Sequence, residues 1–304
     1  MAQHDDEFRF LKSDAAQVGY TGELPEVRRV SVEVSDGRKV SALQFSPESA
    51  PQIVFLHGVG LNAHGFDPVA LALGVPAISI DLPGHGHSDW RSDANYRPDY
   101  LAADVLLALD QLAPEPFYLV GHSLGGLTSA VLAAQLGDRI KGLAILDITP
   151  GIVPQSDAGD INDFISGKRA FASQEEMVDR AIEYGIGEDR AALTRGVALN
   201  SRLREDGQWE WAHHFAHITA GPMENLGEGK PFAALWAPLV YLSKHKLPIV
   251  LFQASDGLVG EELAAEWREM LPDAKLVLLP GLHNLQESSP VELAAALAET
   301  FFGK

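Results

Sequence analysis

Short continuous apolar runs recur along the chain: Ile53-Val54-Phe55-Leu56, Ala77-Ile78-Ser79-Ile80, Phe117–Val120, Ile140–Leu146 and Ile249–Phe252, the last entered from Pro248. Each is too short for a helix and lacks alternation, so each reads as a strand buried on both faces. Val27–Val34 and Lys39–Phe45 alternate in part and flank Ser35-Asp36-Gly37, whose Asp-Gly pair suits a hairpin turn. Residues 1–25 are polar and mixed and read as an N-terminal arm. Tyr100–Leu112 has helical periodicity with Asp99 as a cap near its start. Towards the other end Glu261–Leu271 reads as a helix, Lys275–Leu279 as a strand and Val291–Phe301 as a final helix.

Residues 151–240 differ from what surrounds them. Charge density rises, short buried strands are missing, and helical segments such as Gln174–Tyr184 and Arg190–Arg202 replace them. Strands and helices alternate at βαβ spacing on both sides of this block. That order predicts an α/β fold with a mostly parallel sheet flanked by helices. The expected division is a core in two parts, 1–150 and 241–304, with 151–240 inserted as a helical cap over the carboxyl ends of the strands. Open α/β sheets bind their ligands at those ends.

The strongest local signal is Phe117–Gly126, FYLVGHSLGG, followed by the helix-forming LTSAVLAAQLG. A strand that passes at once into a helix must turn through a tight corner, and Gly121 and Gly125 leave room where a Cβ would crowd it. The G-x-S-x-G pattern in this setting is a nucleophile elbow. It lifts the Ser123 hydroxyl clear of the sheet and sets the Leu124 N–H at a helix N-terminus, where developing negative charge is favoured.

Composition narrows the chemistry. The 304 residues are 46% hydrophobic, enough for one α/β domain with an insertion or for two small domains. There are no cysteines, which excludes disulfides, thiolate metal sites and a cysteine nucleophile. The formal net charge of −19 argues against nucleic-acid partners and anionic membranes. The N-terminus lacks a basic region followed by an apolar run, and no stretch approaches the ~20 apolar residues of a membrane span. The expectation is a cytoplasmic protein with no membrane span, its oligomeric state unreadable. Glycines 58, 60, 84 and 86 form no nucleotide fingerprint, and no cofactor is implied.

A serine nucleophile needs a base, and the base needs an orienting carboxylate. His283, in Gly281-Leu282-His283-Asn284 just past the last strand, is the expected base. Two aspartates compete for the third role: Asp256, after the Ile249–Phe252 strand, is preferred, and Asp147, directly after Leu146, is the alternative. The second oxyanion donor is expected from the His57-Gly58-Val59-Gly60 loop, through the Val59 N–H, beside that of Leu124. Each such donor contributes roughly 3–4 kcal/mol of transition-state stabilisation. His57 reads as a structural loop residue. His213 and His217 have the i, i+4 spacing of helical metal ligands, but no Glu/His pattern completes a site, and no metal is expected.

Together, HGVG at 57–60, DLPGHGHSD at 81–89, GHSLGG at 121–126, SDGLV at 255–259 and GLHN at 281–284 resemble the α/β-hydrolase superfamily in order and spacing. The resemblance implies Ser123 as nucleophile, Asp256 as acid, His283 as base and a helical lid. Residues 204–211, REDGQWEW, resemble a segment of lidded members. Some relatives place the acid after the earlier strand, which keeps Asp147 open. Epoxide hydrolases and haloalkane dehalogenases of the superfamily carry aspartate at the elbow, so Ser123 points instead to acyl transfer to water. The expected activity is a serine esterase of small or medium carboxylic esters. Its rivals are a C–C bond hydrolase of ring-cleavage products, a cofactor-free haloperoxidase-like enzyme and a non-catalytic small-molecule receptor.

Overall fold

A computed structural model describes residues 7–157, 163–165, 167–187, 189–218 and 229–304. The elements run α1 (Leu11–Gln17), β1 (Val27–Glu33), β2 (Lys39–Phe45), β3 (Ile53–Leu56), α2 (Asp67–Leu73), β4 (Ala77–Ile80), α3 (Pro98–Leu112), β5 (Phe117–His122), α4 (Leu124–Leu136) and β6 (Ile140–Leu146). They continue with α5 (Pro154–Asp157), α6 (Gln174–Glu183), α7 (Arg190–Asn200), β7 (Ser201–Leu203), β8 (Trp209–Trp211) and α8 (Trp236–Lys244). The chain closes with β9 (Ile249–Asp256), α9 (Glu261–Met270), β10 (Lys275–Leu282), α10 (Leu285–Ser288) and α11 (Pro290–Leu297).

Eight strands form one sheet in the order β1-β2-β4-β3-β5-β6-β9-β10. The hairpin β1–β2 is antiparallel, and β2 meets β4 antiparallel. From β4 to β10 every pairing is parallel. The continuous apolar strands sit in the middle: Ile53, Val54, Phe55 and Leu56 are fully buried. Two large apolar clusters cover the two faces of the sheet. One gathers α3, α4, α8 and α9, the other α1, α2 and α11. After β3 the chain crosses to β4 on one side, then returns to β5 on the other. The strand order reverses between β3 and β5, and the crevice at their carboxyl ends is where such a sheet offers a binding site.

Several boundaries differ from the sequence expectation. The arm contains helix α1, which buries Leu11 and Ala15. Helix α3 begins with Pro98 at its first turn, so Asp99 lies inside that turn and is not the cap. The segment between β6 and β9 carries, besides helices, a small antiparallel ribbon of β7 and β8 that includes Trp209 and Trp211. Residues 158–162, 166, 188 and 219–228 of that segment lie outside the described residues.

Polar anchors tie this segment to the core. Arg195 of α7 donates to both carboxylate oxygens of Asp14 at 2.8 and 2.7 Å and to Asp67 at 3.2 Å. Asn62, after β3, donates to the Leu199 carbonyl at 2.7 Å and to Asn200 Oδ1 at 2.8 Å. No described helix is long and apolar enough to cross a membrane.

Candidate active site

The serine sits where β5 becomes α4. Ser123 has φ 50 and ψ −117, a strained conformation for a residue with a side chain. Neighbours hold it there. Its N–H donates to Leu146 O at 3.2 Å, and its carbonyl accepts from Leu127 N at 3.1 Å. The corner has no space to relax into: a Cβ on Gly121 would lie 2.4 Å from Gly125 O, and one on Gly125 would lie 2.3 Å from Leu56 O. Close packing of α4 against β3 and β5 thus fixes the angle at which the hydroxyl leaves the sheet.

The carboxylate that meets His283 belongs to Asp147. His283 Nδ1 donates to Asp147 Oδ2 at 2.8 Å. The remaining acceptor capacity of Asp147 is filled by backbone donors: Leu258 N at 2.6 Å, Ala254 N at 3.0 Å and Val259 N at 3.4 Å. The residue is fully buried and turns out of β6 at φ 46. Every one of these backbone partners is a donor, so the Asp147 oxygens serve as acceptors. They therefore accept from the ring, which puts the His283 proton on Nδ1 and leaves Nε2 with a lone pair.

The preference for Asp256 as this partner is corrected by that geometry. Strands β6 and β9 run parallel, with Leu146 opposite Phe252, so β9 continues past the end of β6. Asp256 rides on that extension, paired with Leu282 of β10, and is exposed on the rim. Its carboxylate accepts from Ser255 Oγ at 2.7 Å. Asp147, just past the end of β6, is capped by the N–H groups of Ala254 at the end of β9 and of Leu258 and Val259 beyond it, and reaches the imidazole from the buried side.

His122, between Gly121 and the serine, is a residue that sequence reasoning passed over. It is buried, and burial together with the neighbouring His283 pushes its pKa well below the usual histidine range. The neutral ring donates from Nε2 to the His283 carbonyl at 3.0 Å, with its Nδ1 facing Gln286 Nε2 at 3.4 Å. The backbone of His283 is thereby tied to the corner that carries Ser123. The signal was the motif itself, in which the residue before the serine has nowhere to point except beneath the neighbouring loop.

Ser123, His283, Val59 and Asp256 all line one cleft of about 490 Å³. Ser123 Oγ and His283 make no hydrogen bond to each other in this structure. Catalytic hydrogen bonds are often long before substrate binds. Leu124 is the first residue of α4, where an N–H has no partner within the helix. His57 is a fully buried structural residue: Nε2 accepts from Leu82 N at 2.9 Å and Nδ1 donates to Gly58 O at 2.7 Å. His213 and His217 lie on no shared helix; His217 donates to Trp211 O at 3.0 Å, and His213 Nδ1 accepts from Ala216 N at 3.3 Å.

A mostly parallel sheet whose strand ends bring a strained serine and a carboxylate-bound histidine to one cleft defines a protein of the α/β-hydrolase class. Comparison with known proteins identifies the family: the model of the alpha/beta hydrolase fold matches residues 51–290, and the chain belongs to it. Esterase Rv0045c of Mycobacterium tuberculosis is 38% identical over 268 residues, covering 86% of this chain and 83% of that protein. Its crystal structure superposes with a TM-score of 0.80 at 34% identity, over 98% of each chain. The sn-1-specific diacylglycerol lipase ABHD11 of Mus musculus is 36% identical, covering 81% of this chain and 80% of that one. The 2-(acetamidomethylene)succinate hydrolase of Mesorhizobium japonicum is 34% identical, covering 80% and 84%.

Proposed function

We propose that this ester-hydrolysing α/β hydrolase is a serine esterase that works through an acyl-enzyme. The observation that carries the reading is the hydrogen bond from His283 Nδ1 to buried Asp147, beside a serine held in a strained corner of the same cleft. His283 Nε2 takes the Ser123 proton as Oγ attacks the ester carbonyl. The tetrahedral oxyanion rests on the N–H groups of Val59 and Leu124. Collapse expels the alcohol, which receives its proton from His283. Water, deprotonated by His283, then releases the acid and returns Ser123. Asp147 keeps the imidazole in the tautomer that can accept, and stabilises the imidazolium as it forms. The 151–240 segment acts as the cap over the strand ends and shapes the ester-binding space.

The names of the relatives, an esterase and a diacylglycerol lipase, support carboxylic esters as the substrate class. The test is hydrolysis of p-nitrophenyl butyrate together with fluorophosphonate labelling. The wild type is expected to turn over the ester and to be labelled on Ser123, and Ser123→Ala to lose both. Full activity in Ser123→Ala refutes the assignment, and an unlabelled, inactive wild type favours a binding protein on this scaffold.

A further inference from the structure

The fixed charges on the walls of the cleft are of one sign. Asp157 and Asp256 line it, and no lysine or arginine does. The residues outside the described ranges add none, because positions 1–6, 158–162, 166, 188 and 219–228 contain neither lysine nor arginine. The carboxylates of the two aspartates are held by neutral donors: Asp157 by Val153 N at 2.8 Å and Ser156 Oγ at 2.7 Å, Asp256 by Ser255 Oγ at 2.7 Å. Two cations stand behind the lining, one paired with a carboxylate and one packed against the lining rings Phe164 and Tyr184. Lys230, whose charge feels Asp157, is bonded to Glu266 at 2.9 Å. Arg180 stacks 4.3 Å from the Tyr184 ring centroid and reaches the Asp163 carbonyl at 3.3 Å.

The same cleft also holds a neutral donor, beside the oxyanion loop. His213 is only 3% exposed. Its Nδ1 accepts from Ala216 N, so the ring proton sits on Nε2. That atom faces the oxyanion loop, 3.7 Å from where a Cβ on Gly60 would stand, and both residues line the cleft. Burial, with His217 and His57 nearby, holds its pKa at about 3, so the ring stays uncharged in neutral solution.

We propose that the cleft is charge-selective: Asp157 and Asp256 turn away esters that carry a carboxylate close to the scissile group, and His213 Nε2–H receives an acceptor oxygen of an uncharged or cationic ester. The physical basis is like-charge repulsion, open to salt screening because Asp256 stands exposed: a ligand carboxylate would meet two anions and no lysine or arginine on the lining. The inference rests on the serine esterase reading and deepens it by naming the substrate class.

The test compares ethyl hexanoate with monoethyl adipate, which share acyl length and differ in a terminal carboxylate. Acid release is followed in a pH-stat. The wild type is expected to favour the hexanoate in kcat/KM by about tenfold or more. The double variant Asp157→Asn, Asp256→Asn is expected to narrow that ratio to within about threefold, and raising salt from about 20 to about 500 mM to narrow it in the wild type. His213→Phe is expected to raise KM for ethyl hexanoate, with partial recovery in His213→Gln. A ratio that stays put in the double variant and in salt, or a wild type that prefers the adipate, overturns the charge filter. An unchanged KM in His213→Phe overturns the role of His213. Absence of Ser123-dependent turnover of either ester refutes the esterase reading itself, and the selectivity with it.

Discussion

Replacing Asp147 with asparagine tests the site most directly. The carboxylate accepts the His283 Nδ1–H on Oδ2 and three backbone N–H groups across both oxygens. An asparagine there has one carbonyl to share. If its NH2 takes the Oδ2 position, it meets Leu258 N–H donor to donor and drives His283 to carry its proton on Nε2, where it cannot act as base. If the carbonyl takes that position, the tautomer survives but the charge opposite the forming imidazolium is gone. Two unit charges about 4 Å apart at an effective dielectric constant of about 20 attract by about 4 kcal/mol. At about 1.4 kcal/mol per decade that alone is worth about 10³ in rate. With the tautomer error added, the loss should reach about 10⁴ in kcat. Asparagine tolerates a φ of 46, so the fold should survive, which a thermal melt followed by circular dichroism checks. The assay is kcat/KM for p-nitrophenyl butyrate in Asp147→Asn beside Asp256→Asn, the second expected to stay within about tenfold of wild type. A loss near 10³ or more in Asp256→Asn with little change in Asp147→Asn would refute the reasoning.

Three further outcomes follow from other parts of the structure. Ser123→Gly should be more stable than Ser123→Ala by about 1 kcal/mol in urea denaturation, because glycine adopts φ 50 without the strain that a Cβ incurs; equal midpoints would deny strain at the corner. His213, with a folded-state pKa of about 3 against 6.5 for the free side chain, binds its proton more readily when unfolded. Its presence therefore makes stability fall as pH drops below about 6.5, by about 2 kcal/mol between pH 7 and pH 5, a slope that His213→Phe should shed. Arg195→Met leaves the buried Asp14 and Asp67 carboxylates without their guanidinium and should cost about 3 kcal/mol or more, read from the shift in thermal midpoint. A cost below about 0.5 kcal/mol would mean that the ion cluster does not anchor α7 to the core.

Much of this protein is local and was therefore legible in one dimension. The buried strands announce themselves as apolar runs because a parallel sheet covered on both faces has no polar side to show. The Ser123 corner is written in consecutive residues, since the glycines that permit it must stand two places before and two after. His283 could be placed because a loop that follows a parallel strand emerges at the same edge as the other strand ends. The choice between Asp147 and Asp256 was not local. Both aspartates follow strands that end at that edge, and only the register of β6 against β9 decides which lies under the imidazole and which is carried past it to the rim. The same holds for His122 beneath the His283 carbonyl and for Arg195 on Asp14, contacts between residues far apart in the chain. Local pattern fixes which residues can turn, pair or bury. Which two side chains meet depends on how far each strand runs before it ends, and that is set by packing summed over the whole sheet.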